Sequence, residues 1–304
     1  SPRSSARSVR QNAPSRSLAH CNAIYIEAST VEVYRGGAIW REVSRQLAAA
    51  GFVALWAPQG GHDDVLLVRQ KAPEPLNVFH AENYLRHNHR RLEHLATLEL
   101  PLHGKSVLEV GAGIGDHTSF YLDRGCAVLV TDAREENIAA IRSRYAHEPW
   151  AAAQVLDLDA PALLNRQFDV IHCYGLLYHL AMPAQAIAFL AAHCTHFMVL
   201  ETCVTPDAGV ALNPVSEPAA DPSQAVSGTG CRPTRAWVWA ELKKVFPWVY
   251  ATATQPSHPE FPLDWNSEPA SFAPLTRAVF VASKVSLDSN PKLLATLPTR
   301  QEAV

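Results

Sequence analysis

Short apolar runs alternate with amphipathic stretches along the middle of the chain. KSVLEVG, AVLVTD, FDVIHCYG and HFMVLET are apolar enough for buried strands, and the segments between them, such as REENIAAIRSRYA and PAQAIAFLAAHC, have helical spacing. Strands that alternate with helices predict βαβ units around a parallel sheet, with helices on both of its faces. Two later runs, VYATATQ and RAVFVASK, have no helix between them and predict an antiparallel pair that closes the sheet.

The pattern divides the chain into four parts. Residues 1–19 are polar without periodicity, which predicts disorder, and residues 286–304 are expected to form a flexible tail. Residues 20–72 predict a separate appendage in the order strand, helix, strand, strand, in which Gly51 follows the helix. Residues 73–285 then hold the main α/β domain, which we expect to be three-layered, doubly wound and mostly parallel.

Residues 206–233 interrupt the alternation because they are rich in Pro, Ala, Ser and Gly, which predicts a long loop. The segment SGTGCRPTRAWVW that follows brings Cys231 and Arg232 close to Arg235, Trp237 and Trp239. Together with QPSHPEFPLDW it is a candidate lid, in which Arg232 pairs with an anionic substrate group. The alternative is the start of a helix whose Trp237 belongs to the core.

Composition excludes some classes of function. The formal net charge of −3 and pI near 6.5 give no electrostatic reason to expect a nucleic-acid partner, and no apolar run reaches the roughly 18–20 residues of a membrane span. The six cysteines contain no C-x-x-C pair, so we expect free thiols in a reducing cytoplasm rather than a zinc ribbon.

The segment VLEVGAGIGDHT carries the main chemical signal. A buried strand runs into Gly111, Gly113 and Gly115, and a helix follows. Glycine permits a tight turn and close approach of the backbone to a ligand, and the helix start offers unpaired N–H groups. Such a turn, outside the carboxyl end of a strand, is where open α/β sheets bind ligands.

Acidic residues mark successive strand ends around this turn. Glu109 precedes the glycines, Asp132 ends the next strand and Asp157 ends the third, while Asp169 opens the fourth. A carboxylate in the position of Asp132 accepts hydrogen bonds from ribose hydroxyls, and Asp157 is within reach of an adenine edge. The arrangement predicts a nucleoside site.

Over residues 80–284 these motifs resemble those of class I S-adenosylmethionine (SAM)-dependent methyltransferases. The acidic residue with x-G-x-G-x-G matches Glu109 to Gly115, and FDVIHCYGLLYHL matches the fourth-strand signature. The resemblance implies a seven-stranded sheet with an antiparallel closing strand, SAM as cofactor, and methyl transfer. The cofactor-binding residues that it implies are Glu109, Gly111, Gly113, Gly115, Asp116, His117, Asp132, Ala133, Asp157, Leu158 and Tyr174, with Tyr84, Arg86 and His87 from the segment that covers the cofactor.

Two other functions compete with this interpretation. One is an NAD-linked oxidoreductase, whose fingerprint is G-x-G-x-x-G; here Asp116 stands where the third glycine belongs, and Glu109 adds negative charge beside a pyrophosphate. The other is a catalytically inactive SAM-binding module that serves as an interaction surface. The intact glycine and acidic positions argue against that module.

The candidates for catalysis follow the fourth and fifth strands. His179 can take a proton during methyl transfer, and Glu201 can bind a substrate hydroxyl or amine. The resemblance implies that the loop after the fourth strand, which includes Tyr174 and Tyr178, faces the methyl-transfer site. Each has a purely structural alternative, and in-line transfer from a sulfonium also proceeds by positioning alone. We expect the acceptor to be a small molecule or glycan, with oxygen as the nucleophile.

Two further features stay open. His80, His87 and His94 recur every seven residues, but no carboxylate–histidine pattern accompanies them, so we expect no metal. Residues 20–70 weakly resemble the C-terminal tail of an FkbM-type methyltransferase, which underlies the preference for oxygen. The alternative is an extension that covers the substrate or forms a homodimer.

Overall fold

The computed structural model describes residues 23–31, 39–49, 52–58, 61–69, 75–207, 209–267, 273 and 275–304. It divides the chain into two compact units, Ser1–Ala72 and Pro73–Val304. The expectation for residues 1–19 lies outside the described residues. Among the residues described, no helix has the length and apolar character needed to cross a membrane.

The first unit contains strand β1 (Ala23–Ser29), helix α1 (Trp40–Ala49), β2 (Phe52–Ala54) and β3 (His62–Arg69). β3 lies in the middle of an antiparallel sheet, between β1 and β2. Its small core consists of Ala28, Phe52, Val65 and Leu67, with Trp40 and Leu47 of α1 packed against it. Trp40 and Leu47 are seven residues apart, so they lie on one face of α1, and this partly buried face packs on the sheet.

The second unit is built on an eight-stranded sheet in the order β14-β11-β13-β8-β7-β4-β5-β6. β4 to β8 are parallel, β13 is antiparallel to both β8 and β11, and β14 is a two-residue edge strand. The elements of this unit, in chain order, are α2 (Pro75–Phe79), α3 (Glu82–Thr97), β4 (Ser106–Val110), α4 (Thr118–Leu122), β5 (Ala127–Asp132), α5 (Glu135–Arg144), β6 (Ala151–Val155), β7 (Phe168–Tyr174), a 3-10 turn (Leu177–His179), α6 (Pro183–Ala192), β8 (Cys194–Val204), β9 (Leu212–Ser216), β10 (Thr229–Pro233), α7 (Arg235–Val245), β11 (Trp248–Thr252), β12 (Thr254–Gln255), β13 (Thr276–Ser283), β14 (Leu293–Leu294) and β15 (Glu302–Ala303).

This topology confirms the doubly wound, mostly parallel sheet and its antiparallel closing strand. The sheet has eight strands where seven were expected, because the two-residue strand β14 pairs with the edge of β11. Alternate side chains of the central strands enter two separate cores: Leu108 and Val110 of β4 face one, and Val107 faces the other. The strand order reverses between β4 and β7, because β5 and β6 extend from one side of β4 while β7 and β8 extend from the other. A crevice at the carboxyl ends of the strands is expected at this switch point.

Two segments differ from the sequence-based expectation. Residues 206–233 are not simply a loop, because β9 and β10 pair as an antiparallel hairpin. Residues 286–304 are not a flexible tail: β14 pairs with β11, and β15 pairs with β12. Side chains hold the segment as well, since Asn290 Nδ2 donates to the carbonyl of Leu98 at 2.8 Å and Gln301 Nε2 to that of Thr252 at 2.6 Å.

Candidate functional site

The glycine turn after β4 forms the floor of a cleft. Gly111 and Gly113 have φ of 61° and 57°, a region that L side chains rarely adopt. A Cβ on Gly111 would lie 2.7 Å from Leu176, and one on Gly113 would lie 2.8 Å from the ring of Phe79. Both conformation and close packing therefore require glycine at these two positions.

The Asp132 carboxylate is fixed at the centre of this cleft. Its Oδ2 accepts a hydrogen bond from the backbone N–H of Gly113 at 2.9 Å. Its Oδ1 accepts from the N–H of Arg134 at 2.9 Å and from Asn137 Nδ2 at 3.0 Å. Burial raises the pKa of Asp132, while these donors oppose the rise. The carboxylate is thus held rigidly, with lone pairs still available to hydroxyl donors.

The larger of the two cavities beside the glycine turn lies beyond Asp132 and has a volume of about 620 Å³ when its open mouth is included. Its wall combines strand ends with the turn of the β9–β10 hairpin. The sequence-predicted residues Asp132, Ala133, Asp157 and Leu158 all line it, as does His179. Residues 222–226 of the hairpin turn close the side that the sequence analysis left open.

The smaller cavity, of about 340 Å³, lies beside the glycine turn and is polar. Its lining includes the predicted residues Tyr84, Glu109, Gly111, Gly113, Asp116, His117 and Tyr174. The Tyr174 hydroxyl is buried without a hydrogen-bond partner among the described residues. A buried hydroxyl of this kind has room to bond to a ligand, and its pairing would remove a cost of desolvation.

A chain of hydrogen bonds runs from the core to this smaller cavity. Asn88 Oδ1 accepts from Arg91 Nη1 and lies 3.2 Å from His117 Nε2, so that nitrogen must donate. His117 Nδ1 is then an acceptor for His172 Nε2 at 2.9 Å, and His172 Nδ1 accepts from the hydroxyl of Tyr121 at 2.7 Å. Burial lowers the pKa of His172 to about 3 and that of His117 well below its usual value. Both imidazoles are therefore neutral, with their tautomers fixed by the chain.

Glu109 lies at the end of β4, and its side chain is almost fully buried. Thr118 donates a hydrogen bond to its Oε2 at 2.7 Å. Burial raises the pKa of Glu109 to about 8, and the Thr118 hydroxyl only partly offsets this. Glu109 is consequently protonated over much of the neutral range unless a cation in the cavity stabilises its ionised form.

Two of the three proposed catalytic residues belong to a buried charge cluster. Glu201 is fully buried, with Oε2 2.6 Å from Arg91 and Oε1 3.1 Å from Arg277. Arg277 also donates to the Tyr178 hydroxyl at 3.2 Å and to Glu260 at 2.6 Å. Neither Tyr178 nor Glu201 lines either cavity. In this arrangement both residues fix the positions of arginines rather than face the cleft.

His179 has a different environment, at the wall of the larger cavity. Its Nδ1 lies 2.5 Å from Glu217 Oε2, and Glu217 Oε1 accepts from Arg232 at 3.2 Å. Burial lowers the pKa of His179, against the opposing effect of Glu217. Glu217 lies 38 residues further along the chain and was not predicted. Arg232 was expected to pair with a substrate anion; instead it pairs with this carboxylate.

The expected lid of arginines and tryptophans is not formed. Trp237 is buried in the core beneath the sheet. Its backbone N–H donates to the hydroxyl of Thr234, which caps α7. Arg235 lies over the ring of Trp265 and donates to the carbonyl of Pro298 at 3.1 Å. The alternative of a helix start with a core tryptophan is therefore the correct one, because α7 packs its apolar face on the sheet.

One histidine cluster brings potential metal ligands together. The ligand atoms of His87, His258 and Glu260 all lie within 4.8 Å of one another. The two imidazole rings are stacked, with planes 18° apart, so their in-plane lone pairs run side by side and do not converge. Glu260 already pairs with the guanidinium of Arg277. This arrangement suits a packed polar cluster better than a metal centre.

Four more of the predicted residues do not line the cleft. Gly115 packs against Thr118 and Tyr145 where α4 begins. Arg86 is exposed on the outer surface of α3, and His87 faces the cluster just described. Asp169 bonds to Ser106 at the amino ends of β7 and β4, which is the opposite edge of the sheet from the cleft.

Several cleft residues were missed by sequence reasoning. Asn88 and Arg91 line the smaller cavity together with Tyr84. These three follow the spacing i, i+4, i+7, which places them on one helix face and was available in the sequence. Phe79 and Leu176 line the cleft too, but their contacts with the glycine turn come from tertiary packing that no local pattern shows.

Comparisons with known proteins agree with this geometry. The family model for a methyltransferase domain matches residues 108–196. The solved N-terminal domain of EvdMO1, in the presence of S-adenosylhomocysteine (SAH) and D-fucose, is 18% identical and has a TM-score of 0.50; the match covers 80% of this chain and 96% of that one. At this identity the likeness establishes the fold.

Other solved structures are more distant. An S-adenosylmethionine dependent methyltransferase from Mesorhizobium loti is 15% identical, with 64% of this chain and 97% of that chain covered and a TM-score of 0.47. Magnesium protoporphyrin IX methyltransferase from Synechocystis, with bound SAM, is also 15% identical, with coverage of 66% and 82% and a TM-score of 0.44. No curated protein matches the sequence significantly.

Proposed function

Because the chain is a class I SAM-dependent methyltransferase, we propose that it methylates a hydroxyl oxygen of a small molecule or glycan. The observation that supports this most directly is the pair of cavities that share Gly111 and Gly113 as floor. One cavity is polar, and the other combines the Asp132 carboxylate with apolar side chains such as Leu158 and Leu180.

The lining residues suit the two halves of SAM. In the larger cavity Asp132 would accept the ribose hydroxyls, with Asp157 and Leu158 at the adenine. In the smaller cavity the methionine end would meet Arg91, Asn88 and the unpaired Tyr174 hydroxyl. The NAD alternative finds less support, because Asp116 stands where the dinucleotide fingerprint has its third glycine.

His179 is the candidate base for the reaction. SAM supplies a methyl carbon bound to a sulfonium, which an acceptor oxygen attacks in line. With SAM bound, the methyl carbon would pass from sulfur to the acceptor oxygen with the C–S electron pair left on sulfur, and His179 Nε2 would take the proton that the acceptor loses. Tyr178 and Glu201 keep a supporting role through the arginines that they hold.

The acceptor class stays a proposal. The preference for oxygen rests on His179 and on the resemblance of residues 20–70 to an FkbM-type tail. EvdMO1 was studied with D-fucose, which makes deoxysugars reasonable members of a test panel. The cytoplasmic location stays a prediction. The possible homodimer stays a prediction.

The test has two stages. Calorimetry with SAM and SAH should show binding, while NADH should not bind. Transfer of labelled methyl from SAM should then be measured on a panel of hydroxyl compounds and sugars, with His179→Gln as the comparison. A folded protein that fails to bind SAH contradicts the assignment. Binding of SAH without transfer to any compound would favour the inactive SAM-binding module, and methyl on nitrogen or sulfur would exclude oxygen.

A further inference from the structure

The β9–β10 hairpin packs directly on the turn that carries His179. A Cβ on Gly230 of β10 would lie 2.5 Å from the carbonyl oxygen of Tyr178, so the two backbones are in close contact. Arg232 Nη1 donates to the same carbonyl at 3.3 Å, and the Cys231 thiol to that of Leu177 at 3.6 Å. The position of the 3-10 turn therefore depends on the hairpin.

Glu217, the residue after β9, brings a carboxylate to this contact. Its side chain is only 3% exposed. Oε2 accepts from the backbone N–H of Ala225 at 2.9 Å and faces Nδ1 of His179, while Oε1 accepts from Arg232. An ionised carboxylate only accepts hydrogen bonds, so the proton of neutral His179 must be on Nδ1, and Nε2 carries the lone pair.

The same hairpin turn contacts the cofactor half of the cleft. Arg134 Nη2 donates to the carbonyls of Ala219 and Gln224, at 2.8 and 3.2 Å. Asn137 donates both to Asp132 and, at 3.3 Å, to the carbonyl of Pro222. Ala225, whose N–H bonds to Glu217, itself lines the larger cavity. One short turn thus connects Asp132, the carboxylate proposed to bind the ribose, with Glu217, which contacts His179.

We propose that Glu217 is a positioning residue for His179, because Glu217 fixes the tautomer of His179 that can accept a proton. The hairpin turn couples the position of Glu217 to occupation of the cofactor cleft. The inference rests on the proposed function, in which His179 is the base. Glu217 acts through His179 and does not contact the reacting atoms. The charged groups that face His179 are Glu217, Arg232 and Arg277.

The test reads the imidazole directly and does not require the acceptor. Side-chain ¹H–¹⁵N spectra of histidine-labelled protein report the tautomer and the titration of each ring, and His179→Gln identifies the His179 signals. We expect the Nδ1–H tautomer in the unaltered protein and a shift toward Nε2–H in Glu217→Gln. The apparent pKa of His179 should also fall in that variant, because the anion that favours the imidazolium is lost.

Asp207→Asn is the matched control, since Asp207 caps Gly209 at the base of the hairpin and does not contact His179. This variant should leave the His179 signals unchanged. Addition of SAH should move the His179 signals of the unaltered protein. Once an acceptor is known, Glu217→Gln should lower kcat by about 10²-fold with little change in the KM for SAM.

Two results would overturn the proposal. One is the Nε2–H tautomer of His179 in the unaltered protein. This measurement tests the proposal even if the Glu217→Gln variant does not fold. The other is a tautomer and titration of His179 that Glu217→Gln leaves unchanged. Failure of the proposed function is distinguishable, because it appears in calorimetry as the absence of SAH binding.

Discussion

The backbone N–H of Gly113 donates a hydrogen bond to Asp132 Oδ2 at 2.9 Å, which joins the glycine turn to the carboxyl end of the neighbouring strand. The two motifs lie 19 residues apart in the chain and form one rigid unit in the cleft. The carboxylate is preorganised, so a ligand that bonds to it pays little entropy for ordering the side chain.

Asp132→Asn should weaken SAH binding by about 10- to 100-fold. The reason is the loss of one charge-assisted hydrogen bond from a ribose hydroxyl to the remaining lone pair of the carboxylate, worth about 1.5–3 kcal/mol. Calorimetry gives the affinity, and a melting curve checks folding. Asp123→Asn is the control, because Asp123 is an exposed carboxyl at the end of α4. Equal affinity in both variants would remove Asp132 from the ribose site.

Gly113→Ala and Gly104→Ala separate backbone strain from contact with the cleft. Both glycines have positive φ, 57° and 69°, so each substitution should cost about 1–2 kcal/mol of stability. A Cβ at Gly104 meets nothing within 4 Å, whereas one at Gly113 meets Phe79. Only Gly113→Ala should therefore reduce SAH affinity as well. Equal affinities for the two variants would mean that Phe79 has no part in the binding wall.

Glu201→Gln should destabilise the fold by about 3–5 kcal/mol, because it leaves Arg91 and Arg277 with less compensation in a buried cluster. Glu93→Gln is the comparison: its partner Arg90 lies 2.6 Å away, but the pair is exposed and should contribute about 0–1 kcal/mol. Urea unfolding measures both. A Glu201→Gln variant with unchanged stability and lost methyl transfer would return Glu201 to a catalytic role.

The sheet was predictable because its signals are local. Apolar residues predominate in each of the strands β4 to β8, and an acidic residue lies within two positions of the carboxyl end of β4, β5 and β6. Parallel strands bring their carboxyl ends to one edge of the sheet. The strand assignment alone therefore predicts that Glu109, Asp132 and Asp157 lie at the same edge. The same logic failed for Asp169, which opens its strand and therefore lies at the other edge.

The missed features depend on contacts between distant segments. Strands β9 and β10 have five residues each and contain Pro214 and Pro233, which a strand pattern disfavours. Glu217 reaches His179 only because this hairpin folds back on the 3-10 turn. In the C-terminal segment Leu287, Leu293 and Leu297 pack against the cores, and Asn290 and Gln301 donate hydrogen bonds to remote carbonyls. The hydrophobic periodicity of the sequence does not predict contacts of this kind.

The burial of Glu109 predicts a pH-dependent stability that a glutamine would remove. The carboxyl has a pKa of about 8 in the folded protein and an ordinary value of 4.5 when unfolded, so the folded state holds its proton over a wider range. Stability should therefore fall as pH rises from about 5 to about 8, and level off above that. Glu109→Gln keeps an acceptor for the Thr118 hydroxyl but cannot ionise.

Urea unfolding of the unaltered protein and of Glu109→Gln, at several pH values without cofactor, measures this difference. Buried histidines such as His94 and His172 titrate in the same experiment, but they are common to both proteins, so they cancel in the comparison. The variant should gain stability relative to the unaltered protein with each step from pH 5 to pH 8. Parallel pH curves would show that Glu109 ionises normally in its buried position.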